Sequence, residues 1–487
     1  MSAPFPNALV IDGELRTTAS GESTLIDPAT EQPLTTVPIA SVADVDRAVD
    51  GASRAFHDAS WRNANPQTRA DTLYRIAAQI RERQEDLAQI EARNVGKPIS
   101  DARAEVGAGA RCFEYYAGGI SRFVGETIPV SGSGFDYTLR QPVGVVAAIV
   151  PWNFPFLMAC WKVAPALATG NAVILKPASL TPLTALALGA LALEAGLPPG
   201  LLQVIAGPGR AIGDHLVRHP RVRKISFTGE TATGAHILKQ AADDIKRVSL
   251  ELGGKSPNVI FADADLERAA AAAPIAVFGN TGQDCCARSR LLVERSVYGP
   301  FLEALTAATR ALVVGTPLDE ATQVGPMVSA GQRETVERYI ALASDEGGRV
   351  VLGGDRPRSP GYYLAPTIVE GLPRDSRTCQ EEIFGPVVCV QPFDNEAEAV
   401  ALANDSVYGL SGSIWTRDLS RALRVARDIE AGVLSVNSNS SVYQEIPFGG
   451  FKRSGFGRDL GMEAMRLYTE VKNVFVHVAE HPEEDAT

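Results

Sequence analysis

Hydrophobic and polar positions along the chain change their spacing near residue 143. Over residues 42–122, apolar residues recur at helical intervals, with one long amphipathic run over residues 68–93. From residue 143 onward, helices or turns alternate with short apolar runs of strand length: VGVVAAIV, AVIL, LQVIA, KISF, RVSL and NVIF. This alternation predicts a mostly parallel sheet. One covering helix is predicted to have Thr181 as its N-cap and Pro182 as its first residue.

A second alternating series follows residue 259. It predicts a helix near residues 265–278 and strands near residues 290–293, 385–390 and 432–436. The fold class is therefore predicted as α/β with two such lobes.

Two strand-like segments lie outside this pattern. A Gly/Ser loop at residues 131–134 leads into residues 135–140, and residues 471–478 form another strand-like stretch. We interpret both as arms that pair with another subunit. The final residues, HPEEDAT, are polar and are predicted to be frayed.

Composition narrows the range of functions. The 487-residue chain is 45% hydrophobic and 21% charged, which is typical of a globular protein with a large core. Its net charge of -11 argues against binding nucleic acid or anionic membranes through a positive field. The uncharged residues 141–161 contain three prolines, so they predict a buried strand and turn instead of a membrane span.

Cysteine usage and the first residues suggest a compartment. The six cysteines lack the density and spacing of a disulfide framework, and no basic segment followed by an apolar one opens the chain. The sequence therefore predicts a cytoplasmic protein.

Two glycine-rich turns are candidate phosphate sites. Residues 207–213 resemble a dinucleotide-binding G-x-G-x-x-G motif but contain one residue too many. Residues 229–234 have Walker A glycine spacing without the following lysine and hydroxyl, which argues against an NTPase. The second turn, between a strand and a helix, is compatible with a phosphate at a helix N-terminus or with a purely structural turn.

Three further residues are candidates for catalysis. Asn153 follows a buried strand, where it is either an oxyanion donor or a turn-forming residue. Glu251 also ends a strand, and it is either a general base or the partner of Lys255. Cys285 and Cys286 share a glycine-flanked loop, where one is reactive or both are inert; no metal site is predicted there, because no histidine clusters nearby.

These elements occur together and in order, and the sequence resembles the NAD(P)-dependent aldehyde dehydrogenase superfamily over nearly its whole length. The resemblance rests on a set of ordered motifs: PWNFP, LKPAS, FTGETATG, LELGGKSPN, GQDCCA, EEIFGPV and PFGGFKRSG. It implies two Rossmann-like α/β lobes, one binding the cofactor and one catalytic, with a small β oligomerisation arm. The predicted domains are a cofactor-binding domain (1–121 and 141–251, with a return over 445–469), a catalytic domain (252–444) and arms (122–140 and 470–487).

The resemblance also implies roles for individual residues. Cys285 matches the nucleophile, Glu251 the general base, and Asn153, with the backbone N–H of Cys285, the oxyanion hole. Lys176 would bind the adenosine ribose, Gly229 and Gly234 would approach the pyrophosphate, and Glu382 with Phe384 would position the nicotinamide ribose. The remaining predicted cofactor contacts are Pro151, Trp152, Ser179, Gly209 and Leu252. Lys162 and Asp459 fall where some members have an auxiliary proton relay.

The implied activity is oxidation of an aldehyde to a carboxylic acid by NAD or NADP, through a cysteine thiohemiacetal and a thioester. The resemblance also implies a homodimer or homotetramer. The alternatives are a cysteine-dependent esterase or hydrolase, in which the cofactor motifs are idle, and a non-catalytic binding protein on this fold.

Three positions bear on specificity. Ser179 stands where NAD-preferring members often have a glutamate, so NADP is not excluded. Asp284, beside the nucleophile, favours cationic or neutral aldehydes over acidic semialdehydes. Ala108 falls where some amino-aldehyde members keep an acidic residue, which argues against an amino-aldehyde.

Overall fold

The computed structural model describes residues 5–478, so the predicted frayed segment, residues 481–487, lies outside the described residues. The strands are β1 (Leu9–Ile11), β2 (Glu14–Arg16), β3 (Gly21–Asp27), β4 (Gln32–Ile39), β5 (Thr127–Pro129), β6 (Gly134–Pro142), β7 (Val145–Ile149), β8 (Ala172–Lys176), β9 (Leu202–Val204), β10 (Val222–Thr228), β11 (Arg247–Glu251), β12 (Pro257–Ile260), β13 (Arg290–Glu294), β14 (Arg349–Leu352), β15 (Thr367–Glu370), β16 (Val387–Phe393), β17 (Tyr408–Gly409), β18 (Ser411–Trp415), β19 (Val433–Val436), β20 (Phe451–Lys452), β21 (Gly455–Phe456) and β22 (Thr469–His477).

The helices are α1 (Val42–His57), α2 (Pro66–Glu82), α3 (Gln84–Val95), α4 (Ile99–Gly119), α5 (Pro155–Ala168), α6 (Leu183–Glu194), α7 (Asp214–Arg218), α8 (Thr231–Ala241), α9 (Leu266–Phe278), α10 (Tyr298–Arg310), α11 (Ala330–Asp345), α12 (Arg377–Gln380), α13 (Glu396–Asn404), α14 (Leu419–Asp428) and α15 (Gly461–Leu467).

The first lobe is built on a sheet of order β2-β1-β9-β8-β7-β10-β11-β21. Its five central strands are parallel, whereas β1, β2 and β21 add antiparallel edges. Strand order reverses between β7 and β10. Ligands of open α/β sheets bind at such a reversal, beyond the carboxyl ends of the strands.

The second lobe is built on a sheet of order β14-β15-β16-β13-β12-β18-β19. All neighbours are parallel except β14, which pairs antiparallel with β15. The predicted α/β fold with two lobes is confirmed. The assignment of residue ranges to domains stays a prediction.

The two predicted arm segments form one small sheet within a single chain. Strand β22 pairs antiparallel with β6 over nine residues, from Thr469 opposite Pro142 to His477 opposite Gly134, and β5 pairs with the other edge of β6. The two arms form backbone hydrogen bonds with each other, so both strands form without pairing to a second subunit. Contact of this sheet with another subunit stays a prediction.

Several local predictions were wrong. The amphipathic run over residues 68–93 is two helices, because Arg83 leaves helical dihedral angles while its guanidinium lies 4.4 Å from the centre of the Phe5 ring. Helix α6 begins at Leu183 instead of Pro182, and the Thr181 hydroxyl donates to the Trp152 carbonyl at 3.0 Å instead of capping the helix. The sequence pattern also missed strands β1 to β4, of which β1 and β2 have three residues each, β3 seven and β4 eight.

Among the described residues, no helix combines the length and apolar character needed to cross a membrane.

Candidate active site

Asn153 lies just beyond the carboxyl end of β7 and links the two lobes. Pro155 begins α5, where its fixed φ suits the first helical position, so the turn before it is tight. The Asn153 side-chain amide donates to the Gln283 carbonyl at 2.9 Å, and the Asn153 carbonyl accepts from the Asn280 amide at 3.0 Å. The amide predicted to stabilise an oxyanion is therefore tied to the loop that carries Cys285.

The cysteine loop follows α9 and has an unusual backbone. Asn280 and Thr281 are left-handed, with φ of 48° and 59°, a conformation that needs support from its surroundings. The Gln283 side chain supplies it: its amide donates to the Asn280 carbonyl at 3.1 Å, and its oxygen accepts from the Val328 N–H at 2.9 Å. The loop thereby holds Cys285 partly exposed in a fixed place.

The Cys285 thiol is not activated by its protein surroundings alone. The adjacent Cys286 thiol and burial raise its pKa well above the ordinary value, and the charges of Asp284 and Glu382 act in the same direction. Since the thiolate is the nucleophile, a base or a nearby positive charge has to assist its formation.

Glu251, the last residue of β11, presents a carboxylate with no donor. The side chain is 4% exposed, and both carboxylate oxygens are buried without a hydrogen-bond partner in the described structure. Burial, followed by the charge of Asp459, raises its pKa well above the ordinary value, while Lys162 and Arg458 oppose the rise. Two orphaned acceptor atoms suit a group that takes a proton from a water molecule.

The segment after Glu251 runs against the cysteine loop. A Cβ on Gly254 would come within 2.4 Å of the Cys285 carbonyl, so only glycine allows this approach. The structure thus brings the ends of β7 and β11 to the cysteine loop.

Behind Glu251 lies a buried ion pair. The Lys162 ammonium lies 2.9 Å from the Asp459 carboxylate, and both side chains are almost fully buried. The two predicted relay residues are therefore in contact, and the shorter aspartate still reaches the lysine.

The predicted nucleotide contacts lie along β8 and the loops beside it. Lys176 is 4% exposed, and in the described structure its ammonium donates one hydrogen bond, to the Pro177 carbonyl at 3.3 Å. Burial lowers the pKa of Lys176 to about 8. The Ser179 hydroxyl donates to the Gly207 carbonyl at 3.0 Å, and a Cβ on Gly209 would meet only open space. A buried ammonium with so few partners suits ribose hydroxyls.

The two glycines of the turn after β10 have different surroundings. The Gly229 N–H donates to the Glu251 carbonyl at 3.0 Å, which ties the phosphate-loop candidate to the general-base candidate. A Cβ on Gly234 would lie 2.5 Å from Leu252, so this glycine allows α8 to pack against the segment after β11. The Thr228 hydroxyl beside them is buried and has no hydrogen-bond partner within the described part of the chain.

The nicotinamide-side candidates form a second group. Trp152, which follows Pro151, packs edge to face against Phe384 with ring centres 5.1 Å apart. Glu382 accepts from the Gly254 N–H at 2.9 Å, and burial raises its pKa to about 7. These residues therefore border the same segment that contacts the cysteine loop.

The sequence pattern missed two groups of buried charges. Arg288 is 2% exposed and lies two residues beyond Cys286. Glu91, Lys97 and Glu105 form a buried cluster under the first turn of α5. A signal for the cluster existed, because Glu91 falls at helical spacing among the apolar positions 87, 88, 92 and 95.

Comparison with known proteins identifies the family. The model of the aldehyde dehydrogenase family matches residues 16–474. The chain belongs to the aldehyde dehydrogenase family. It is 44% identical over 483 residues to a phenylacetaldehyde dehydrogenase of Pseudomonas fluorescens (97% of this chain, 96% of the relative), and 42% identical over 484 residues to a peroxisomal aminoaldehyde dehydrogenase of Malus domestica (97% and 96%).

Solved structures of aldehyde dehydrogenases are also similar to this chain. Betaine aldehyde dehydrogenase of Staphylococcus aureus in complex with NAD+ has a TM-score of 0.95 and 36% identity, covering 99% of this chain and 97% of that one. The indole-3-acetaldehyde dehydrogenase of P. syringae with NAD+ has a TM-score of 0.95 and 42% identity, covering 97% of each. The predicted aldehyde dehydrogenase family and enzyme class are confirmed, and the NAD+ in both neighbours agrees with the predicted cofactor.

Proposed function

We propose that this aldehyde dehydrogenase uses Cys285 as its nucleophile, Glu251 as its general base and Asn153 as a donor to the oxyanion. The supporting observation is the unpartnered, buried Glu251 carboxylate at the end of β11, beside a cysteine loop that is hydrogen-bonded to Asn153. A buried carboxylate without donors is a destabilising arrangement that a purely structural role does not explain.

The chain's own groups can carry the covalent chemistry. Water between Glu251 and Cys285 passes the thiol proton to the carboxylate, and the thiolate adds to the aldehyde carbon to give a thiohemiacetal. One amide hydrogen of Asn153 is used by Gln283, which leaves the other for the developing alkoxide. After oxidation leaves a thioester, Glu251 takes a proton from water, which attacks the acyl carbon and releases the acid and the thiol.

The residues around Lys176 and Glu382 fit NAD or NADP. The nicotinamide supplies the hydride acceptor when the cofactor is bound. Lys176 and Glu382 would hold the two riboses, and the glycines after β10 would let the pyrophosphate approach the N-terminus of α8. No carboxylate stands at Ser179 to repel a 2′-phosphate, so we expect both nucleotides to serve.

The direct test measures absorbance at 340 nm with an aldehyde and either nucleotide. Wild-type protein should reduce the nucleotide, and Cys285→Ser should lower the rate at least about 10³-fold, because a serine hydroxyl has too high a pKa to replace the thiolate. Cys286→Ser should keep at least roughly a tenth of the rate, since its thiol is not the nucleophile in this scheme.

Two outcomes would count against the proposal. If Cys285→Ser oxidised aldehydes at the wild-type rate, the nucleophile would be assigned wrongly. If the protein hydrolysed esters but reduced neither nucleotide, the esterase alternative would take its place.

We also propose that the protein is a cytoplasmic homodimer or homotetramer. All six cysteines are free, which suits a reducing compartment. Both faces of the β5–β6–β22 sheet carry exposed apolar side chains, among them Phe135, Leu139, Val471 and Phe475, which suits contact with another subunit.

A further inference from the structure

A cavity of about 470 Å³ opens beside the cysteine loop in the second lobe. Its wall includes Asp284 and Cys286, the two neighbours of Cys285. A carboxylate oxygen of Asp284 and the sulfurs of Cys285 and Cys286 all lie within 4.8 Å of one another, so two residues of the cavity wall adjoin the sulfur of the proposed nucleophile. The cavity is therefore in position to receive the part of an aldehyde that lies away from its carbonyl carbon.

Two arginines on the cavity wall lack a carboxylate partner. Arg288 donates to Ser413 Oγ at 2.8 Å, Ser441 Oγ at 3.0 Å, the Asn439 carbonyl at 3.4 Å and the Cys286 carbonyl, all of them uncharged groups. Arg268, in the first turn of α9, is exposed at the cavity, and its guanidinium carbon lies 5.9 Å from the centre of the Trp415 ring. Within residues 5–478, no carboxylate lies within ion-pair distance of either guanidinium. A buried cation without an anion is costly, and an anionic ligand would relieve that cost.

Two further polar groups on the wall are unused. Trp415 is 1% exposed, and among residues 5–478 its indole N–H has no acceptor and neither atom of the buried Asn439 side-chain amide has a partner. Both the indole and the amide nitrogen can donate. The cavity thus combines unpaired positive charge with unused donors.

Asp284 does not cancel this character. Its carboxylate accepts from the Cys286 N–H at 2.8 Å, so it is held against its own loop. Burial raises its pKa, while the Cys286 N–H and the Arg288 charge limit the rise. With two guanidinium groups and one carboxylate on its wall, the cavity carries a net positive charge. This reverses the preference for cationic aldehydes that Asp284 alone suggested.

We propose that this cavity binds a carboxylate at the far end of the substrate, so that the preferred aldehydes are semialdehydes of dicarboxylic acids. The inference rests on the proposed function, because it takes Cys285 as the group that attacks the aldehyde carbon. Arg268, Arg288, Trp415 and Asn439 are then specificity-determining residues.

The test compares kcat/KM for 5-oxopentanoate, pentanal and the cationic 4-trimethylammoniobutanal, with saturating NAD+ at low ionic strength. We expect 5-oxopentanoate to be preferred over both others. Arg268→Gln should reduce the preference for 5-oxopentanoate over pentanal by roughly threefold, the effect of one exposed charge pair, mainly through KM. Because Arg268 is exposed and makes no ion pair in the described structure, this variant should fold normally.

Arg310→Gln is the matched control, since Arg310 is an exposed arginine at the end of α10 in the same lobe, away from the cavity. It should leave the preference as in the wild type. Added salt should weaken the preference by screening, and glutarate should inhibit pentanal oxidation more strongly than pentanamide does.

The possible failures are distinguishable. Oxidation of pentanal or the cationic aldehyde with equal or higher kcat/KM than 5-oxopentanoate would overturn the inference and leave the proposed function intact. An unchanged preference in Arg268→Gln, or the same loss in Arg310→Gln, would also overturn it. If no aldehyde were oxidised, both the proposed function and this inference would fail.

Discussion

Glu251 shows how one residue couples stability to chemistry. In the described structure neither of its carboxylate oxygens accepts a hydrogen bond, and its pKa is raised chiefly by burial. The nearest compensation is the electrostatic influence of Lys162 and Arg458, neither of which forms a hydrogen bond with it in the described structure. The fold therefore holds a carboxyl group whose ionisation is unfavourable at the position of the proposed general base.

We expect Glu251→Gln to lower kcat by roughly 10²-fold, because an amide cannot take a proton from water. In the wild type, kcat/KM should rise with pH as the carboxyl group of Glu251 ionises. Because the pKa of Glu251 is raised, this rise should occur at a higher pH than for an ordinary glutamate. A pH–rate profile of both proteins checks the prediction. If kcat/KM of Glu251→Gln rose with pH over the same range as in the wild type, a group other than Glu251 would be responsible for that rise.

The same substitution should change stability in a pH-dependent way. A glutamate with a raised pKa binds more protons in the folded state than in the unfolded one, so stability falls as pH rises from the unfolded pKa through the folded pKa. The Glu251→Gln variant has no carboxyl group at this position, so it does not lose this stability as pH rises. Its thermal midpoint should exceed that of the wild type at pH 8, and the difference should shrink towards pH 4.5. An equal difference at both pH values would contradict the argument.

At the scale of elements, the first turn of α5 is fixed by charges buried beneath it. Glu105 accepts from the Leu157 N–H at 3.2 Å and Glu91 from the Phe156 N–H at 3.3 Å, which satisfies donors at a helix N-terminus. Lys97 contacts Glu105 and lies 3.9 Å from Glu91, so its single positive charge offsets part of the negative charge of the two carboxylates. This cluster supports the helix that directly follows Asn153.

We expect Glu105→Gln to lower the free energy of unfolding by about 2 kcal/mol, because Lys97 loses its closest counter-charge inside the protein. The matched control is Glu320→Gln, since Glu320 pairs with Arg103 at 2.8 Å but its side chain is 68% exposed. That change should stay within about 0.5 kcal/mol. Urea titrations followed by fluorescence measure both, and equal midpoint shifts would show that burial of the pair does not matter.

At the scale of the whole molecule, the β5–β6–β22 sheet stands apart from the two large sheets. Val471 and Phe475 are 59% and 51% exposed, and they lie on the same face because they are an even number of residues apart. Strand β22 is an edge strand, which leaves backbone groups available to a partner.

We expect Phe475→Asp to shift the protein from an oligomer to a monomer, because a charge on this face would have to be buried against the partner. Leu419→Asp is the control, since Leu419 is 71% exposed on α14, outside this sheet. Light scattering after size-exclusion chromatography gives the mass of each. A wild-type monomer would contradict the proposed assembly, as would a Phe475→Asp variant of unchanged mass.

The sequence by itself determined the α/β fold class, the strands β7 to β12 and the family. Those strands have apolar runs bounded by turn residues, and the ordered motifs around Asn153, Glu251 and Cys285 are local features that need no knowledge of the packing. The spacing of apolar residues could not predict that the helix ends at Arg83. A single residue outside the helical dihedral angles does not change the apolar period.

Only the tertiary structure decided what surrounds each charge. Glu91, Lys97 and Glu105 look like ordinary helix charges until α3, α4 and α5 bury them together. Arg288, which forms no ion pair with the described residues, is buried because the loop carrying Asn439 and Ser441 packs over its guanidinium. Burial and pairing are properties of contacts between distant segments, and these set the energies of ionisable groups.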